Sequence, residues 1–467
     1  MSRPTGQPQL SLPADFNEAS KHTFCVLPWL HRFVNLGGEV QLCCTAEEYD
    51  HSYIRSDARL PINITHGLSD KQIGDSKHMR DIRLAMLSGE WPAACERCRL
   101  TEQGGGCSRR QSENQHFSQH IPWILEHTDP QGFAPVRIRS RDYRLGNLCN
   151  LRCRMCHPRA SKLLLEEWNE VARPRLRINA EQFNELQDMS WFHNEQLWDD
   201  FRTHCQDLEH LHFAGGEPLI MPEVQKALEL CVELGVANRI ELTFNTNITR
   251  IPARHRALWP HFKSVNLICS IDAHGQLNDY IRFPAKWSRL AGNLETIEQQ
   301  HEALNLGWVT LSATVQIYNI FNLHELIEYA HAHFSFIRPM PGLIPLSIPD
   351  YFNIQHLPGD LKQQASTRLG KLRARLADEG VSEDLEQIDN ILSYLSLGDH
   401  SPHLMNEFKR VTGVFDQLRG ESITGLVPEL HPLMEEQTRS VRLRDWLNRM
   451  ISHGRWIGHR VKKKFLS

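Results

Sequence analysis

The 467-residue sequence has no run of eighteen or more apolar residues, which excludes an ordinary membrane-spanning helix. It has no excess of positive charge either. Its 52 Lys and Arg stand against 56 Asp and Glu, and a net charge of −4 gives no global attraction to nucleic acid, so no nucleic-acid partner is expected. The opening residues, MSRPTGQPQL, lack the apolar stretch of a secretion signal, so a cytoplasmic, reducing location is expected and disulfides are not. With 40% hydrophobic and 23% charged residues, the composition is that of a globular chain rather than a disordered or collagen-like one.

What the sequence does have is cysteine. The twelve lie at 25, 43, 44, 95, 98, 107, 149, 153, 156, 205, 231 and 269, so nine fall by residue 156. In a reducing compartment, grouped cysteines point to metal or cluster ligation or to redox work, while single ones are usually small buried hydrophobes. Cys205, Cys231 and Cys269 stand alone and are read as core residues.

From about residue 136, short β-type runs alternate with longer helical ones, the signature of a parallel αβ arrangement. Six strands are predicted: Val136 to Arg141, Leu208 to Phe213, Arg239 to Phe244, Ser264 to Ser270, Trp308 to Gln316 and Phe334 to Ile337. Helix-like stretches such as Ser161 to Val171, Glu223 to Leu234 and Leu323 to Ala332 separate them. The expected fold is α/β, a partial (β/α)6 TIM-like barrel over 131–345. A cysteine-rich module precedes it over 1–130, and a helical extension follows over 346–467. Ligands of such sheets gather at the carboxyl ends of the strands. The extension ends in a basic tail, nine Lys or Arg against one Asp from Arg439 on, which suits a solvated helix or a weak contact with a membrane surface or partner.

The first predicted strand runs into Gly146-Asn147-Leu148-Cys149-Asn150-Leu151-Arg152-Cys153-Arg154-Met155-Cys156, a CxxxCxxC loop. Three thiolates on one loop can wrap one face of a cubane cluster. A tetrahedral zinc would need a fourth ligand, and His157 follows Cys156 too closely to reach the same ion well. A redox dithiol would use only two of the three. The triad suits a 4Fe-4S cluster with one iron left open.

This loop resembles the signature of the radical S-adenosylmethionine (radical SAM) superfamily, and the later strand ends add to the resemblance. After the second strand comes Ala214-Gly215-Gly216-Glu217-Pro218, similar to the GGEP segment that presents backbone groups to the amino end of SAM. The third and fourth strands end in Asn245-Thr246-Asn247 and Cys269-Ser270-Ile271-Asp272. The resemblance implies SAM contacts at Gly215, Gly216, Glu217, Asn245, Asn247, Ser270 and Asp272, with Gln316 and Asn319 as weaker candidates. Met155 stands where the family usually has an aromatic residue near the adenine. Turn formation and helix capping by the same polar residues are the alternative reading.

Cys25, Gly38, Cys43 and, after a long gap, Cys95-Glu96-Arg97-Cys98 form C-x12-G-x4-C followed by C-x2-C. Two such pairs can close a four-thiolate site for zinc or an iron-sulfur cluster. The pattern resembles the SPASM and twitch auxiliary-cluster domains, here placed before the barrel instead of after it. Cys25, Cys43, Cys95 and Cys98 are the expected ligands, with Cys44 and Cys107 surplus.

The resemblance implies an oxidoreductase. Cys149, Cys153 and Cys156 would hold the cluster that cleaves SAM to a 5'-deoxyadenosyl radical, which takes hydrogen from a peptide or small-molecule substrate. A second, auxiliary 4Fe-4S cluster would assist net oxidation, and a flavodoxin- or ferredoxin-type protein would supply electrons. A non-catalytic iron-sulfur or zinc redox sensor that keeps the fold is the alternative.

Overall fold

The computed structural model describes residues 20–46, 52–173, 176–381 and 385–435; the basic tail lies outside them. Among these residues, eight strands form one sheet in the order β2-β1-β3-β4-β5-β6-β7-β8. The strands are β1 (His31–Val34), β2 (Val40–Gln41), β3 (Ser140–Arg144), β4 (His210–Ala214), β5 (Glu241–Thr246), β6 (Ser264–Ser270), β7 (Leu306–Val315) and β8 (Ile337–Pro345). Every neighbouring pair is parallel except β1 with β2.

From β3 to β8 the sheet order follows the chain order. Right-handed crossovers that step steadily one way put their helices on one face of a sheet. The burial pattern agrees. Leu211, Phe213, Leu242, Phe244, Val265, Leu267, Val309 and Leu311 are fully buried on one face. Alternate residues of the same strands, His210, His212, Asn245, Ser270, Ser312 and Thr314, turn to the other face and are only half-buried.

The crossover helices start and stop on ordinary signals. The helix Pro222–Glu233 opens on a proline, which has no N–H to lose in the first turn. The helix Pro402–Arg419 has Ser401 as its N-cap and ends at Gly420, φ 65°. This helix, with Gly359–Asp378 and Glu386–Ser396, forms the predicted helical extension and shares one hydrophobic core with the sheet. Cys205, Cys231 and Cys269 lie in that core. Residues 24–134 supply a second core around Phe24, Trp29, Met86 and Ile124.

Two differences from the sequence reading stand out. The first predicted strand, Val136 to Arg141, is displaced to Ser140–Arg144, because pairing with β1 on one side and β4 on the other runs through those residues. The sequence Ser-Arg-Asp-Tyr-Arg looks too polar for a buried strand. Its charges are paired instead: Arg141 with Asp70 and Asp200 behind the sheet, Asp142 with His212 in front. Second, β1 belongs to the cysteine-rich N-terminal segment, yet it hydrogen-bonds to β3 and extends the main sheet.

Candidate functional site

The cysteine loop leaves the end of β3 through Gly146, whose φ is +80°. A side chain there would collide with Phe192, since its Cβ would lie 2.5 Å from that ring. Phe192 belongs to the segment between the cysteine loop and β4. The segment packs: Asn147 Nδ2 donates to the Leu186 carbonyl at 2.7 Å, and Trp191 Nε1 donates to the Leu36 carbonyl at 2.8 Å. It therefore ties the cysteine loop to the β1–β2 hairpin.

The GGEP segment is bonded along the same loop. Gly216 N donates to Gly146 O at 3.2 Å and Glu217 N to Leu148 O at 2.8 Å. A Cβ on Gly216 would lie 2.2 Å from Leu148 O, so only glycine permits this approach. Gly215, with φ +85°, makes the turn before it. The Gly216 and Glu217 amides are thus spent on the loop. An ammonium group would take nothing from them, because it is a donor and needs carbonyl acceptors.

Glu217 is buried, and its carboxylate accepts from Thr246 Oγ1 at 2.7 Å, Asn247 N at 2.6 Å and Leu219 N at 3.1 Å. Burial pushes this carboxyl up to about 7, against the pull of those donors. Asn247 Nδ2 donates to Asn150 Oδ1 at 2.9 Å and stands 3.9 Å from Cys149 Sγ. Both residues therefore join the end of β5 to the cysteine loop.

The three thiols of that loop act on one another's charge. The Cys153–Cys156 interaction lowers the first thiol and, with burial, raises the second. Burial and the nearby Cys153 push Cys149 up to about 12. His157, the possible fourth zinc ligand, turns away: its Nδ1 accepts from Arg159 N, and its ring stands edge-on to Trp168 at 4.5 Å. Met155 is half-buried beside them.

Guanidinium groups surround the triad, and the sequence reading named none of them. Arg282 acts electrostatically on all three thiols, and Arg419 acts on Cys153. Arg282 is held by Asp272 at 2.7 Å. Asp272 also accepts from Thr314 N at 2.8 Å, so its buried carboxylate is engaged inside the protein. Arg419 pairs with Glu167 at 2.7 Å. Arg154, between the second and third cysteines, points backward: it pairs with Asp416 at 2.9 Å and Glu421 at 2.8 Å and lies 3.5 Å over the Tyr280 ring. The backbone of the loop is fixed from the same side, with Arg152 N on Phe283 O and Arg154 N on Ile281 O. Nothing in the loop's sequence shows that Arg154 meets acids more than two hundred residues later, whereas Arg152 pairs with nearby Glu167 at 2.8 Å.

Ser270 is half-buried at the end of β6, and Asn245 contacts His212. Gln316 and Asn319 are buried: Gln316 N donates to Asn319 Oδ1, and Asn319 Nδ2 donates to the Asp272 carbonyl.

At the N-terminal site, Cys25, Cys43, Cys95 and Cys98 line one cavity with Leu27, Leu42, Ala94, Arg109 and Arg110. Burial raises Cys25 and Cys95 and pushes Cys43 up to about 12, so all three rest as protonated thiols until a cation offsets the charge. Cys107 is exposed and outside the cavity. Cys44 turns the other way and contacts Arg109. The structure thus brings together the four expected cysteines and leaves out the two surplus ones. Three thiols on one loop are a donor set that fits an iron-sulfur cluster, and four around one cavity fit either such a cluster or zinc.

One acidic group elsewhere, Asp70, Asp200 and His204, has metal-like proximity. Its charge is already met by Arg32 and Arg141.

No family model matches the chain, and no curated protein matches it. Several solved structures resemble it at low similarity. Streptococcus suis SuiB bound to S-adenosylmethionine is 14% identical over 78% of this chain and 73% of that one, with a TM-score of 0.31. SuiB bound to precursor peptide SuiA is 14% identical over 71% and 69%, with a TM-score of 0.29. The anSMEcpe enzyme with bound AdoMet is 14% identical over 52% of this chain and 62% of that one, with a TM-score of 0.33.

Proposed function

We propose that this chain is a radical SAM oxidoreductase. The observation that carries the proposal is the arrangement at the end of β3: three thiols that act on one another's charge, on a loop bonded to the GGEP turn and faced by Arg282. In this reading β3 to β8 are a partial (β/α)6 barrel. Cys149, Cys153 and Cys156 would hold a 4Fe-4S cluster, and Gly215, Gly216, Asn245 and Ser270 would contact SAM. When bound, this pair supplies a carbon radical that abstracts hydrogen from the substrate. Cys25, Cys43, Cys95 and Cys98 hold the auxiliary cluster.

The chain's own residues have defined tasks in this scheme. Arg282 and Arg419 offset thiolate charge in a buried setting, where an uncompensated charge is costly. Glu217 and Asn247 fix the strand ends, and Asp272 positions Arg282. Arg154 anchors the loop to the C-terminal helix. A peptide substrate is the narrower reading, and a small molecule is the other. Electrons would come from a flavodoxin- or ferredoxin-type donor.

The test is anaerobic reconstitution with iron and sulfide analysis. Two 4Fe-4S clusters give about eight of each per chain. Zinc without sulfide would end this reading.

A further inference from the structure

The half-buried face of the sheet carries two polar residues, Asp142 and His212, that the cofactor reading leaves unused. Asp142 on β3 and His212 on β4 are paired in register. Their side chains meet, Asp142 Oδ2 lying 3.2 Å from His212 Nδ1. His212 Nε2 stands 2.7 Å from the Asn245 amide on β5. Asp142 lies four residues before Gly146, so the pair sits about 13 Å along the strand from the start of the cysteine loop. Toward the other site, Arg109, which lines the four-cysteine cavity, acts on the charge of Asp142. The pair therefore stands between the two cysteine sites.

Its chemistry is that of an imidazole beside a buried carboxylate. Asp142 is 1% exposed, and neither of its oxygens meets a well-aligned donor among the described residues. Burial alone would raise this carboxyl, but His212, then Arg144 and Arg109, outweigh burial and hold it below the usual carboxylate range. His212 itself keeps 16% of its side chain exposed, on the face that carries Asn245 and Ser270. The Asn245 amide can turn either its oxygen or its nitrogen to Nε2, so both the neutral and the protonated ring find a partner. A pair with a purely structural role needs only one of those states.

We propose that His212 is the substrate-side proton acceptor of this face, oriented by Asp142. In that step a substrate X–H bond breaks heterolytically and its electron pair stays on X. The proton forms the Nε2–H bond, and the imidazolium is offset by Asp142, so no oxidant is consumed. The inference deepens the radical SAM reading and rests on it in taking the substrate to lie on this face.

The experiment uses the full chain. Nitrogen-15 NMR of labelled histidines, assigned by difference from His212→Gln, reads the tautomer of His212. The groups facing it are Asp142, Arg144, His210 and Arg109, with His116 beside His210. The expected neutral form carries its proton on Nδ1, toward Asp142, and Asp142→Asn should weaken that preference. Diethylpyrocarbonate, a small electrophile that needs a neutral and reachable imidazole, should modify His212 of the wild-type chain at a rate within about tenfold of exposed His193.

A neutral ring protonated on Nε2, or an unmodified His212 beside modified His193, would each overturn the proposal. The tautomer and the labelling need only the wild-type fold. Failure of the radical SAM reading would appear separately, as missing iron and sulfide in reconstituted wild-type protein.

Discussion

Arg154→Met is the most informative single perturbation of the structure. The Arg154 side chain is fully buried, and its guanidinium pairs with Asp416 and Glu421, stacks on Tyr280 and donates from Nε to the Tyr280 carbonyl at 3.0 Å. Methionine fills much of the stem volume and removes the fork. Breaking a fully buried pair typically costs about 3–5 kcal/mol. Here Asp416 and Glu421 keep 15% and 24% of their side-chain exposure, so water recovers part of that loss. Adding about 1 kcal/mol for the lost cation–π contact, a total of about 3 kcal/mol is expected. For a unit this large that lowers Tm by roughly 3–5 °C.

The site should respond as well, because Arg154 lies between Cys153 and Met155. Thermal unfolding of the metal-free chain measures the first effect, and iron retained after desalting measures the second. Arg154→Lys keeps the charge without the fork and should recover less than half of the loss. An Arg154→Met protein that melts within about 1 °C of wild type and retains all its iron would refute the claim that the C-terminal helix holds the cluster loop.

Further outcomes follow from the same contacts. Gly216→Ala would place a Cβ 2.2 Å from Leu148 O, so it should cost about 1–3 kcal/mol in thermal unfolding and reduce iron at the loop. Cys95→Ser should remove about half of the iron and sulfide, while Cys107→Ser leaves both unchanged; equal losses would misplace the auxiliary site. The folded-state pKa of Glu217, about 7, lies above its ordinary value near 4.5. Its contribution to metal-free stability is therefore full below about pH 4.5 and lost as pH rises through 7, and Glu217→Gln should flatten chemical-denaturation midpoints over that range. The opposite sign holds for His210, which burial lowers to about 3. Its contribution is present above about pH 6.5 and lost on acidification toward 3, so His210→Gln should weaken the acid dependence of those midpoints.

The sequence made the parallel sheet legible because β4 to β7 alternate with helices of ordinary length and carry buried apolar residues, whereas the predicted strand Phe334 to Ile337 shares only Ile337 with β8. It also isolated the seven cysteines that the structure gathers into two groups, since their local spacing is itself the signal. It misplaced β3, whose Arg141 and Asp142 are satisfied by Asp70 and His212, partners seventy residues away in either direction. For the same reason it missed the Arg282–Asp272 and Arg154–Glu421 pairs, because charge compensation across the fold has no local pattern. Glu217 and Asp272 show the remaining limit. Their strand-end positions were legible, but that their carboxylates serve the protein's own backbone and Arg282 was not.

The central claim is tested most directly by product analysis of the reconstituted chain given SAM and dithionite without oxygen. The account predicts release of 5'-deoxyadenosine and methionine by the wild-type protein and none by Cys153→Ala. An intact cluster in the wild-type protein that leaves SAM uncleaved would contradict it and favour a redox sensor that keeps the fold.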